Sequence, residues 1–169
     1  MKQKLFSIIL MSLSLMTYAQ QTQTKNFSVS GKVKTEMQID QTSLLNHPAI
    51  AIGDVVITNH LGEKKSTAKN VKGVLIREVL TTVTPDCENP REYSEYYLVF
   101  KAIDGYTVVF SWNELFNSTV GDQAYFVVEK DGKSIQDLNE SISILVPTDE
   151  RTGRRYLKNL TTITVGRAQ

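Results

Sequence analysis

The sequence predicts an α+β fold, a mixed β-sheet carrying a few short helices, and three observations predict it. Short β-rich runs recur along the chain. Two Asp-Gly pairs, Asp104-Gly105 and Asp131-Gly132, separate such runs where a tight hairpin turn needs residues that accept positive φ. Helical signals are confined to short stretches, chiefly residues 74–80 and 111–116. With 169 residues, 41% of them hydrophobic, and no repeat or low-complexity linker, the chain reads as one domain with a core of its own.

Each element follows in order. Residues 1–19 read as a secretory signal peptide: Lys2 and Lys4 precede an apolar run from Leu5 to Met16, and Thr17-Tyr18-Ala19 supplies a small-x-small cleavage site. The run is too short for a bilayer span, so no membrane anchor is expected after cleavage, and a periplasmic or secreted location follows. Residues 20–26 are a polar, flexible lead-in to a single domain over residues 27–165. Residues 27–33 alternate apolar and polar and predict a strand with one buried face. Residues 42–45 suit one helical turn before His47-Pro48. Residues 50–58 are β-branched and predict a strand bent or bulged at Gly53-Asp54. Residues 59–70 are polar and predict a loop turning at Gly62.

Leu75, Ile76, Val79 and Leu80 then fall on one helical face. Two prolines mark residues 84–90 as loop. Residues 96–103 and 106–112 form a hairpin about Asp104-Gly105. A two-residue turn there pairs Ile103 with Tyr106, Val99 with Phe110 and Tyr97 with Trp112. Both faces of that hairpin are then largely apolar, which places it at the centre of the fold. Ser111 and Glu114 make a capping box for a helix through Phe116. Residues 124–129 and 133–135 form a second hairpin. Residues 141–146 are a strand stopped by Pro147, and residues 160–165 a last strand after a charged loop.

The composition excludes several function classes. The formal net charge is +1, and losing Lys2 and Lys4 with the leader leaves acids and bases almost matched. No basic face points to nucleic acid. One cysteine cannot form an internal disulfide. There is no nucleophile elbow, phosphate-binding glycine loop, CxxC or HExxH motif, so no catalytic residue and no metal ligand is assigned. Cys87, between Asp86 and Glu88, reads as a free thiol in a mobile acidic loop. His47 and His60 lack an orienting partner, with only Asp54 near His60. Tyr96, Tyr97, Phe110 and Trp112 read as core rather than pocket lining. Arg151, Arg154, Arg155 and Lys158 form the densest basic cluster, either a solvated loop or an anion site, since guanidinium forks donate paired hydrogen bonds to phosphate and carboxylate.

Five pieces, in order, resemble the sulfite-oxidase type of molybdopterin-binding domain: Gly73-Val74-Leu75-Ile76, Asp104-Gly105-Tyr106, Asp131-Gly132, residues 144–147, and Gly153, Arg155, Leu157 and Lys158. The resemblance covers about residues 27–165, most of the mature chain, and is greatest to short secreted single-domain bacterial members. It implies that fold, and it implies that Gly153, Arg154, Arg155 and Lys158 lie against a cofactor's pterin and phosphate. Molybdopterin is a cofactor by resemblance alone. The family's metal-binding cysteine belongs upstream of the Gly-Val-x-Leu segment, where residues 55–63 hold none, and neither Asn59 nor His60 supplies a soft thiolate. Ser143 stands where the family often has an arginine. The expected function is therefore a secreted, non-catalytic binding or accessory module for a small anionic ligand or a periplasmic protein partner. The alternatives are a molybdenum-dependent oxidoreductase with an unusual ligand set, through Cys87 or otherwise, and a structural or adhesive surface protein.

Overall fold

The computed structural model describes residues 23–169; the predicted signal peptide lies outside the described residues. β1 (Asn26–Gly31) buries Phe27 and Val29 and turns its serines toward the surface. β2 (Met37–Asp40) ends in Asp40, which caps α1 (Gln41–Leu45) by accepting the Ser43 N–H at 2.7 Å. β3 (Ile50–Thr58) carries the predicted bulge: its register against β4 (Lys64–Leu75) shifts on both sides of Gly53, whose φ is +88°. α2 (Ile76–Val79) follows, then a 3-10 turn over Pro90–Glu95. β5 (Tyr96–Ala102) and β6 (Thr107–Ser111) form a hairpin, and α3 (Trp112–Phe116) starts from the predicted capping box, with both Ser111–Glu114 bonds present. β7 (Tyr125–Lys130), β8 (Lys133–Ser134), β9 (Ser143–Leu145), a 3-10 turn at Thr152–Arg154 and β10 (Leu160–Arg167) complete the chain.

Two sheets share the core. The first runs β2-β1-β10-β5-β6, with β1 and β10 parallel and the other pairs antiparallel. The second runs β3-β4-β7-β8, with β9 also on β7. Phe27 of β1 stacks on Phe126 of β7, ring centroids 5.3 Å apart, which joins the sheets face to face. On β7, Phe126 and Val128 enter this shared core, while Val127 joins a second cluster with Val55, Ile57, Ala68, Val71, Leu138 and Leu145. β7 is thus covered on both faces, which explains its unbroken run of buried residues, Tyr125 to Val128.

That role was expected of the β5–β6 hairpin, and the structure corrects it. Gly105 N–H donates to the Ala102 carbonyl at 3.0 Å and Ala102 N–H to the Tyr106 carbonyl at 2.9 Å, closing a three-residue loop. Gly105 alone in this loop takes positive φ, +86°, which is a type I turn followed by a G1 bulge rather than a two-residue turn. The extra residue slips the register by one: Leu98 faces Phe110 and Val99 faces Val109. Leu98, Phe100, Val108 and Phe110 consequently share the buried face, Val109 is 54% exposed, and β6 is an edge strand. Trp112 leaves the strand, opens α3, and stacks on Phe116 at 4.2 Å.

Two further expectations are corrected. Residues 59–70 are not all loop: from Lys64 onward they are β4, whose polar side chains face solvent on a strand paired to β3. The helix expected over residues 74–80 shrinks to Ile76–Val79, because Val74 and Leu75 pair with Phe126 and Tyr125; tertiary pairing overrides a short helical stripe. Before β1, Gln23 and Thr24 are hydrogen-bonded to the rest of the domain. Gln23 donates to the Leu138 carbonyl, and the Ser141 hydroxyl donates to the Thr24 carbonyl.

Candidate functional site

A pocket of about 420 Å³ opens beside the end of β3. β3 and the following turn contribute Ile57 through His60, β4 contributes Lys65 through Ala68, and the β5–β6 loop contributes Tyr106. The far wall is Lys130, Asp131, Glu140, Gly153, Arg154, Tyr156 and Lys158. Local chemistry builds each wall. Asn59 accepts the Leu61 and Glu63 amides at 2.9 and 3.0 Å, which fixes the turn carrying His60. Thr152 accepts the Thr58 amide at 3.0 Å and donates to the Val56 carbonyl at 2.7 Å, so its side chain bonds the open edge of β3. Gly153 then lies against β3 so closely that a Cβ would stand 1.9 Å from the Thr58 carbonyl oxygen. Tyr106 reaches across and donates to the Arg154 carbonyl at 2.7 Å.

The polar centre of the pocket is Glu140. It accepts from Lys130, Lys158 and the Tyr156 hydroxyl, and Lys130 also contacts that hydroxyl at 3.0 Å. Both ammonium groups lie over the Tyr156 ring, at 4.8 Å for Lys158 and 5.7 Å for Lys130. Burial pushes the Glu140 carboxyl upward, but its three hydrogen bonds outweigh burial and hold it below the ordinary carboxyl value. Burial, then the Glu140 carboxylate, pushes the Tyr156 phenol far above its ordinary range, so it stays protonated and donates. A depressed carboxyl stabilises the fold above its unfolded pKa, and that contribution is lost as pH falls through the folded value. Wild type should therefore lose stability on acidification from about pH 5 to pH 3, and Glu140→Gln should flatten part of that slope while costing about 2 kcal/mol at neutral pH. Urea midpoints across that range check this; an unchanged slope would refute it.

The structure divides the predicted basic cluster. Gly153, Arg154 and Lys158 line the pocket. Arg155 does not. It pairs with Asp149 and Glu114 and lies 4.9 Å over the Phe110 ring, riveting residues 149–155 to α3 and β6. The Asp149 hydrogen bond, then its charge and that of Glu114, hold the guanidinium above even its ordinary value against the opposing effect of burial. Arg151 and Arg154 both donate to the His60 carbonyl, at 3.1 and 3.2 Å. His60 lines the pocket, but Asp54 does not orient it: that carboxylate accepts the Asn70 amide. His47 lies elsewhere, half-buried after α1. No spacing in the sequence singles out Lys65, which comes from the polar run of β4, or Lys130, Glu140 and Tyr156, whose partners lie far apart in the chain.

Cys87 is half-buried against the shared core, and its loop is pinned rather than mobile. Tyr96 donates to the Asp86 carbonyl at 2.8 Å, the Asp86 amide donates to Lys32, and Pro85 bridges Val33. The thiol is not among the pocket residues. A molybdenum ion held through a thiolate does not fit this donor set of lysines, an arginine, tyrosines, one imidazole and two engaged carboxylates, which offers no sulfur. Among the described residues, no three His, Cys, Asp or Glu side chains converge as metal ligands, and no helix is long and apolar enough to cross a membrane.

No known family model and no curated protein matches this sequence. In three dimensions the chain is similar to the sulfane dehydrogenase SoxCD from Paracoccus pantotrophus, with a TM-score of 0.60 at 11% sequence identity. The match covers 83% of this chain and 37% of that one. The chain thus spans well under half the length of that protein, and the likeness is one of fold.

Proposed function

We propose that this chain is a secreted, non-catalytic binding module on a sulfite-oxidase-type molybdopterin-domain scaffold, and that it takes a small anionic ligand in the pocket beside β3. One observation carries the reading. Three segments that bear on the resemblance, residues 55–63, 104–106 and 153–158, are far apart in the chain and converge on this one pocket. The likeness to SoxCD supports the same scaffold. Gly153, Arg154 and Lys158 line that pocket, and Arg155 acts behind them as the rivet of the loop. The position that would make such a scaffold redox-active, within residues 55–63, carries no thiolate, so the chemistry favours holding a ligand over oxidising one.

The test has two arms. Arg154→Ala should weaken inorganic phosphate binding about tenfold, as expected for losing one charged hydrogen-bond donor, and Lys158→Ala should weaken it similarly by leaving the Glu140 carboxylate, its partner, less neutralised beside the anion; unchanged affinity in both would sink the site. Protein purified from its native source should lack stoichiometric molybdenum by elemental analysis. Stoichiometric metal that disappears in Cys87→Ser would overturn the non-catalytic reading in favour of an oxidoreductase with an unusual ligand set. Fractionation should place the protein, cleaved after Ala19, in the soluble periplasmic or secreted pool rather than on an outer surface.

A further inference from the structure

We infer that the pocket selects an organic monoanion of small-molecule size, a carboxylate on an apolar or ring-bearing body, over bare oxyanions and phosphate esters. This rests on the reading that the pocket binds anions, and it is carried by how charge and apolar surface are divided among the walls. Four cations line the pocket: Lys65, Lys130, Arg154 and Lys158. Two of them are already matched. Lys158 is paired with Glu140, and Lys130 is held between Glu140 and Asp131, the latter at 4.0 Å. Among the described residues, Lys65 and Arg154 have no carboxylate partner. A dianion strong enough to recruit the matched lysines must displace Glu140, leaving a half-buried carboxylate without its cations. A monoanion needs only these two charges without carboxylate partners, and Arg154, whose Nη2 donates to the His60 carbonyl, keeps further N–H donors to offer a carboxylate.

The remaining surface explains the body. Ile57 and Ala68 are buried side chains of the floor, and Tyr106 stands 43% exposed at the mouth. Its hydroxyl is tied to the Arg154 carbonyl, so the ring is fixed where it can cover a ligand. A bare ion leaves that surface wet, and the volume of about 420 Å³ falls among pockets that enclose small organic molecules.

Calorimetric titration of the mature chain with benzoate, acetate and inorganic phosphate decides the matter. Benzoate should bind at least about tenfold tighter than either of the others, acetate lacking the ring and phosphate carrying the second charge. Tyr106→Ala should bring benzoate to the level of acetate, while Tyr106→Leu, which keeps apolar cover, retains most of the preference. Glu140→Gln frees both lysines and should raise phosphate affinity several-fold with little change for benzoate. Phosphate binding as tightly as benzoate in the wild type, or a benzoate preference untouched by Tyr106→Ala, overturns this inference and leaves the anion pocket standing. No binding of any of the three at millimolar concentration overturns both.

Discussion

Alanine at position 153 is expected to destabilise the fold by about 3 kcal/mol and to abolish anion binding in the pocket. Gly153 needs no unusual backbone angle; it needs the absence of a side chain, because a Cβ would meet the Thr58 carbonyl oxygen at 1.9 Å. That oxygen belongs to the end of β3 and cannot swing away as a flexible side chain would. Either the strand end or the loop must move, and overpacking of this kind costs about 1–3 kcal/mol. Displacement of the loop also breaks the two bonds by which the neighbouring Thr152 holds Val56 and Thr58, at about 1 kcal/mol each. A loss of this size should lower the melting temperature by roughly 10 °C in a domain this large. Arg154, Tyr156 and Lys158 ride on the same segment, so binding falls with stability. Gly105→Ala is the comparison. No atom lies within 4 Å of a Cβ there, and only its φ of +86° is strained, so about 1 kcal/mol is expected. Urea unfolding of both variants measures the difference; a Gly153→Ala loss no larger than that of Gly105→Ala would show that the loop does not dock as described.

What the sequence reveals of this fold depends on how local each cause is. The capping box at Ser111 and Glu114 and the bulge at Gly53 are written in a few adjacent residues, and both stand where expected. So does the Asp131-Gly132 turn, whose residues both take positive φ, 55° and 75°. β4 escaped notice because Lys64 to Asn70 is a polar run lacking the hydrophobic alternation that announces a strand; its pairing with β3 and β7 supplies the order instead. The pocket was half legible. Gly153, Arg154 and Lys158 are close in sequence and stay together in space. The Glu140 network joins residues from β7, the segment before β9 and the segment before β10, and no spacing in the chain announces it. Arg155 shows the opposite failure. Its sequence neighbours suggest a ligand contact, while Glu114, 41 positions away, takes it out of the pocket.

The hairpin register gives the second large effect, because one residue in the turn decides which aromatic side chain enters the core. Phe110→Ala should cost about 3–5 kcal/mol, the range for removing a buried aromatic ring. Phe110 is fully buried, meets Phe100 edge to face at 5.3 Å, and supports the Arg155 guanidinium from below. The neighbouring Val109→Ala should change stability by no more than about 0.5 kcal/mol, since Val109 is 54% exposed. Asp104-Gly105 permits a two-residue turn, which would place Phe110 opposite Val99 and exchange the inner and outer faces of β6. Asp104 does not enter that turn: its carboxylate accepts the Tyr106 amide at 2.9 Å, and only Gly105 takes the left-handed conformation. The Ile103 amide meanwhile donates to the Asn159 carbonyl at 3.0 Å, anchoring the loop from the side of β10. Double-mutant cycles separate the two registers independently of the absolute losses. Coupling above about 0.5 kcal/mol is expected between Phe100 and Phe110, whose rings touch, and none between Val99 and Phe110. Coupling of Val99 with Phe110, together with comparable losses at positions 109 and 110, would return the hairpin to the two-residue turn and to the centre of the fold.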